Sequence, residues 1–198
     1  MTLVTAPRSC SLAPRHVVDA VDAAGWDGLV VPRLRLCGLA VYPVVRLDPD
    51  TWSARERSGF GPQLHQFTLE LWESWLPGLG TAPPPSPVRL VGIAADGNVG
   101  AAFRVLDQLS GYAPGLAIAT GSRRPTNLTV ADADIRGISL AWVSPSSSTT
   151  TLLWRGRSVP APTAAGRTVS LRHKEELIYS RLLANGWTPP VGSHAATA

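Results

Sequence analysis

Cysteine and lysine are scarce in this 198-residue chain, and it holds no long apolar run. Cys10 and Cys37 stand far apart, with no His or Cys at ligand spacing beside either, which excludes a zinc knuckle; no metal site is expected. A disulfide between them would need an oxidising compartment, so a buried or incidental thiol is the expectation at each. No stretch approaches the roughly 18 apolar residues of a membrane-spanning helix, and the start MTLVTAPRSC lacks a charged region followed by an apolar one. These two absences predict a cytoplasmic protein without membrane contact. Lys174 is the one lysine, so the formal charge of +4 rests on arginine. Together with abundant Ala, Gly and Pro, that bias points to a GC-rich genome, such as that of an actinobacterium or its phage. Clustered His, Cys or carboxylates are also missing, and no residue is predicted to be catalytic.

What is present is enough to fold. With 44% hydrophobic and 16% charged residues, the chain can bury a core, and its length suits one domain over residues 1–198. Three consecutive prolines make 79–87 an extended surface connection, and 189–198 reads as a loose tail. Residues 11–28 predict a short amphipathic helix with Ser11 as cap, Pro14 in the first turn and Gly25 at the end. His16 lies at its start with no partner at a local spacing, and so reads as a surface residue. Residues 28–47 predict two strands with an irregular join, because Pro32 and Pro43 remove ladder donors. There Arg33 and Arg35 alternate with leucines and read as a solvated face. From Pro62 to Gly78 a helix is expected, with Leu64, Phe67, Leu71 and Trp75 along one buried side. Trp72 and Trp75 are the alternative partner platform on that helix.

The centre, residues 88–124, predicts strand, helix, strand. Val99, Ala102, Phe103, Leu106 and Leu109 share a helical face behind a capping Asn98; the competing reading of 88–109 is a hairpin turned at Asp96-Gly97. Ala95, Gly97 and Gly100 have the spacing of a dinucleotide-binding G-x-G-x-x-G turn, with Ala in the first place. Ser122, Arg123 and Arg124 follow the second strand, where basic groups meet a 2′-phosphate, so NADP is the cofactor this alternative implies. Residues 125–134 read as polar and turn-rich. Strands are predicted over 135–143 and 149–159 around a Ser/Thr loop, and a last helix over 170–184 with Ser170 as its cap.

Charge is uneven along the chain: between Ile135 and Lys174 no residue is acidic. Arg155, Arg157, Arg167, Arg172 and Lys174, interleaved with Trp142 and Trp154, have the ingredients of a nucleic-acid or other polyanion surface. The expected fold is α+β, a mixed, mainly antiparallel sheet with three or four helices around the central strand-helix-strand unit. The leading functional expectation is a non-catalytic interaction or assembly module with a protein partner or a second copy. The alternatives are an NADP-dependent oxidoreductase and polyanion binding over 135–174.

Overall fold

In the computed structural model of the chain, the described residues are 13–144, 149–157 and 168–188. Arg167, Cys10, the proposed Ser11 cap and the 189–198 tail lie outside them. Two compact units form, residues 1–44 with 92–158 and residues 45–91 with 159–198.

The first unit begins with α1 (Arg15–Ala23), whose buried side is Val17, Ala20 and Val21, and which ends at Gly25 in a left-handed conformation. Three strands follow: β1 (Leu29–Val30), β2 (Leu34–Leu36) and β3 (Leu39–Leu47). Leu36 pairs with Leu39, so Cys37 and Gly38 alone turn the β2–β3 hairpin. Both have positive φ, 52° and 81°, as a tight primed turn demands. That turn leaves Cys37 exposed, so of the two expectations for it the buried one does not apply. Pro43 lies within β3, where its carbonyl accepts from Val31 N–H at 2.8 Å.

β4 (Val88–Gly97), α4 (Val99–Leu109) and β5 (Gly115–Thr120) make the expected strand-helix-strand unit, with β4 and β5 parallel. The hairpin reading of 88–109 is thereby set aside: Ala102, Phe103, Leu106 and Leu109 bury one helical face. A second crossover repeats the pattern through α5 (Asn127–Arg136) to β6 (Ser139–Val143), again parallel. β7 (Thr150–Trp154) then returns antiparallel to β6. The sheet runs β1-β3-β4-β5-β6-β7, with β2 pairing β3 off that path.

Two expectations change here. The sheet is mixed, with a parallel core of β4, β5 and β6, where mainly antiparallel pairing was expected. Six α-helices occur among the described residues, where three or four were expected. α5 is one of the added helices, in a stretch read as turn-rich. Thr126 caps it and Gly137 ends it with φ 67°, but Ala133 is its one buried residue, so no apolar stripe marks it.

Side-chain alternation assigns the faces of this parallel core. A Cβ at Gly115, paired with Ile93, would meet Leu106 of α4, whereas one at Gly92 would meet Trp26, just beyond α1. Even-numbered residues of β4 therefore face the α1 side and odd-numbered ones face α4. With both faces covered, Leu116 to Ala119 are all buried, as parallel strands require.

The second unit is built from α2 (Pro49–Ser58), α3 (Gln66–Glu73), a 3-10 turn at Pro77–Leu79 and α6 (Val169–Ala184). Asp48 caps α2 through Thr51 N–H at 3.0 Å, and Gly59 closes it at φ 70°. α6 is capped by Thr168, two residues before the expected Ser170. α3 packs against α6. Its core includes Trp52, Leu69, Leu171, Ile178, Tyr179 and Leu182, with Trp52 edge-on to Tyr179 at 4.7 Å and to Trp187 at 5.5 Å.

Candidate functional site

The carboxyl end of the parallel strands is where ligands bind in open α/β sheets, because the chain diverges there and leaves helix starts facing outward. Gly97 and the turn after β5 both stand at that end, since Gly97 pairs with Ala119 just before Thr120. Ala95 is buried within β4, opposite Ala117. Gly97, at φ 113°, adopts a backbone that L side chains avoid. Asn98 alone joins strand to helix, and its side chain accepts from Ala101 N–H at 3.3 Å, occupying one free donor of α4. Gly100 lies in the first turn beside the Asn98 side chain. Ser122, Arg123 and Arg124 are exposed between β5 and α5, in a turn whose Gly121 carbonyl accepts from Trp142 Nε1 at 3.1 Å.

The same end of β4 carries a cluster that local sequence spacing does not show. Asp96, on the α1 side, accepts at one oxygen from His16 Nε2 and from Tyr42 Oη, each at 3.3 Å. The side chains of His16 and Asp96 are 32% and 18% exposed, so the pair is accessible from solvent. Arg33 lies over the Tyr42 ring, its guanidinium carbon 5.9 Å from the centroid. Burial, reinforced by the Asp96 carboxylate, raises the Tyr42 phenol above its ordinary value, and Arg33 opposes that rise. His16 and Asp96 are eighty positions apart, and α1 and β4 bring them together.

The described basic residues of the acid-free stretch fall in both units. Arg155 and Arg157 follow β7, at the end of the sheet opposite Arg123 and Arg124, because β7 runs against β6. Arg155 donates to the carbonyl of Ala24 at the end of α1, and Arg157 lies along Gly137. Arg172 belongs to the second unit, 7% exposed, and donates to Glu176 at 3.0 Å, Glu73 at 3.3 Å and the Pro84 carbonyl at 2.8 Å. Lys174 is half-buried on the same helix. For Arg172, the acids absent from the stretch itself are supplied by Glu73 and Glu176.

α3 reverses the predicted orientation. It starts at Gln66, not Pro62, and Leu69 is its one buried residue. Phe67 and Leu71 are 69% and 46% exposed, on the side of the helix opposite Leu69, with Leu64 exposed just before them. Phe60, Leu76 and Leu79 extend the exposed apolar set. Trp72 is half-buried between Phe60, edge-on at 6.1 Å, and the Arg55 guanidinium at 5.9 Å. Trp75 is half-buried too, donating from Nε1 to the Gly80 carbonyl at 3.3 Å. Among the described residues there is no His/Cys/Asp/Glu group of three or more able to hold a metal, and no helix long and apolar enough to cross a membrane.

Compared with known proteins, the chain matches no family model, and neither a curated protein nor a solved structure is significantly similar to it.

Proposed function

We propose that the chain is a non-catalytic interaction or assembly module that docks through the outer face of α3, and that its occupant is a second copy of the chain. The observation that carries this reading is the concentration of exposed apolar side chains between Phe60 and Leu79, where Phe67 and Leu71 stand one turn apart with Leu64 before them. An exposed apolar set of this kind marks a docking surface, and a twofold pairing of identical faces is the commonest way to cover one. No Lys or Arg occurs from Gly59 to Val88, and Glu73 already pairs with Arg172, so Glu70, which accepts from Gln66 at 3.4 Å, is the charge on α3 that docking would have to desolvate. On this reading the module is cytoplasmic, and the arginine bias assigns it to a GC-rich bacterium or its phage.

Sedimentation velocity over a concentration series tests the proposal. The wild-type chain is expected to dimerise, and Phe67→Ser/Leu71→Ser to remain monomeric with the thermal midpoint that the wild type has at dilutions where it too is monomeric, because both side chains are exposed. A wild-type chain that stays monomeric at roughly 100 μM overturns self-assembly. One defined protein retained from native extract by the wild type but not by the double variant would instead make the occupant heterologous.

A further inference from the structure

The His16–Asp96–Tyr42 cluster is unrelated to the α3 face and has a chemistry of its own. In the neutral imidazole, donation to the Asp96 carboxylate puts the proton on His16 Nε2 and leaves the lone pair on Nδ1. No partner for Nδ1 occurs among the described residues. Tyr42 donates to the same carboxylate oxygen and fixes its position from β3, while His16 comes from α1. A carboxylate that orients an imidazole from behind is the arrangement that makes the other ring nitrogen an effective proton acceptor. As a purely structural tie the cluster adds little. It is accessible to solvent, where ion pairs contribute weakly, and α1, β3 and β4 already bury Val17, Val21, Val41, Val44, Ile93 and Ala94. Arg33 adds an exposed cation beside Tyr42.

We infer that this cluster is a binding site for a small molecule carrying both a hydroxyl and an oxyanion. The hydroxyl donates to His16 Nδ1, and the oxyanion sits against the Arg33 guanidinium; Asp96 and Tyr42 are positioning residues. Hydroxy acids and phosphate monoanions share this chemistry, and the location at the carboxyl end of β4 is the one that open α/β sheets use for ligands.

The test is nitrogen-15 NMR of the histidine imidazoles at neutral pH, titrating the full chain with glycolate in one arm and inorganic phosphate in the other. Saturable shifts at His16, with the other three histidines unmoved, are expected in at least one arm, and the tighter probe identifies the ligand class. Arg33→Gln should weaken binding about tenfold, the effect of losing one charge-assisted hydrogen bond. Asp96→Asn should weaken it too and change the tautomer signature of His16, which a merely structural role for Asp96 would not link to affinity. Because Arg33 is exposed, its variant keeps the reading clear even if Asp96→Asn perturbs folding. Shifts that fail to saturate with either probe up to roughly 100 mM, or equal affinity in wild type and Arg33→Gln, overturn the inference.

Discussion

At Gly92 the strand passes so close to Trp26 that a Cβ would overlap the six-membered part of the indole ring. Nothing in the local sequence marks this glycine as different from Gly97 or Gly121, where a Cβ would meet nothing within 4 Å. Gly92→Ala must therefore displace a half-buried indole or the strand beneath it, and overpacking of this kind costs about 1–3 kcal/mol. Urea unfolding should show that loss as a lower midpoint with the slope unchanged; Gly121→Ala is the control and should move the midpoint far less. His16 makes the same point about what residues reveal alone. With its partner eighty positions away, it reads as a surface side chain, and only the packing of α1 against the parallel core brings Asp96 to it.

Among the elements, the second unit turns on charge that its own sequence does not advertise. Arg55 of α2 and Glu176 of α6 are fully buried and meet through two hydrogen bonds, 2.8 and 3.0 Å. The Arg55 guanidinium lies 5.3 Å from the Tyr179 ring and 5.9 Å from that of Trp72, so Arg55 is hydrogen-bonded at its tip and covered by rings from two helices. Arg172 shares Glu176 from one turn away, and Gln63 N–H adds a further bond at 3.1 Å. Removing one member strands the others: Glu176→Leu or Arg55→Met alone should cost about 3–5 kcal/mol. The pair Arg55→Met/Glu176→Leu should recover much of that loss, because two apolar groups need no partner, although Arg172 then keeps only Glu73 and the Pro84 carbonyl. A double-mutant cycle by chemical denaturation checks both values, and additivity of the two single losses would refute the coupling. Periodicity could not announce this network. Two glutamates in a row at 175 and 176 look like a solvated face, and α6 buries both. It also explains the reversal of α3: Trp72 and Glu73 are drawn towards Arg55 and Arg172, which turns Phe67 and Leu71 outward. α1 and α4 were legible because their apolar stripes are also their buried faces; the buried side of α3 was not, because its stripe is exposed, and α5 was not, because it has no apolar stripe.

At the scale of the whole molecule, composition indicated a folding chain and the order of elements gave its central crossover, but the parallel run β4-β5-β6 depended on α5, which carries almost no apolar signal. Of the candidate sites, the glycine turn and the basic turn after β5 lie at one end of the sheet, whereas Arg155 and Arg157 follow β7 at the other end and Arg172 is held by Glu73, Glu176 and the Pro84 carbonyl. The two units share a titration behaviour that no single segment reveals. Tyr42 in the first and Tyr179 in the second are both raised above the ordinary phenol value of 10.0, in each case chiefly by burial; Asp96 adds to the rise at Tyr42, and at Tyr179 Arg55 works against it. In the unfolded chain both phenols ionise near 10, while the folded chain holds them neutral. Stability is thus unaffected by them below pH 10 and declines as pH rises from there towards the folded-state values, by up to about 1.4 kcal/mol per pH unit for each phenol. Tyr42→Phe and Tyr179→Phe should each remove one phenol's share of the alkaline slope. Denaturation midpoints measured between pH 9 and 11.5 should therefore fall less steeply in either variant than in the wild type, and least in the double variant. An alkaline slope unchanged in the double variant would mean that the buried phenols ionise as readily folded as unfolded, contrary to the burial both rings show.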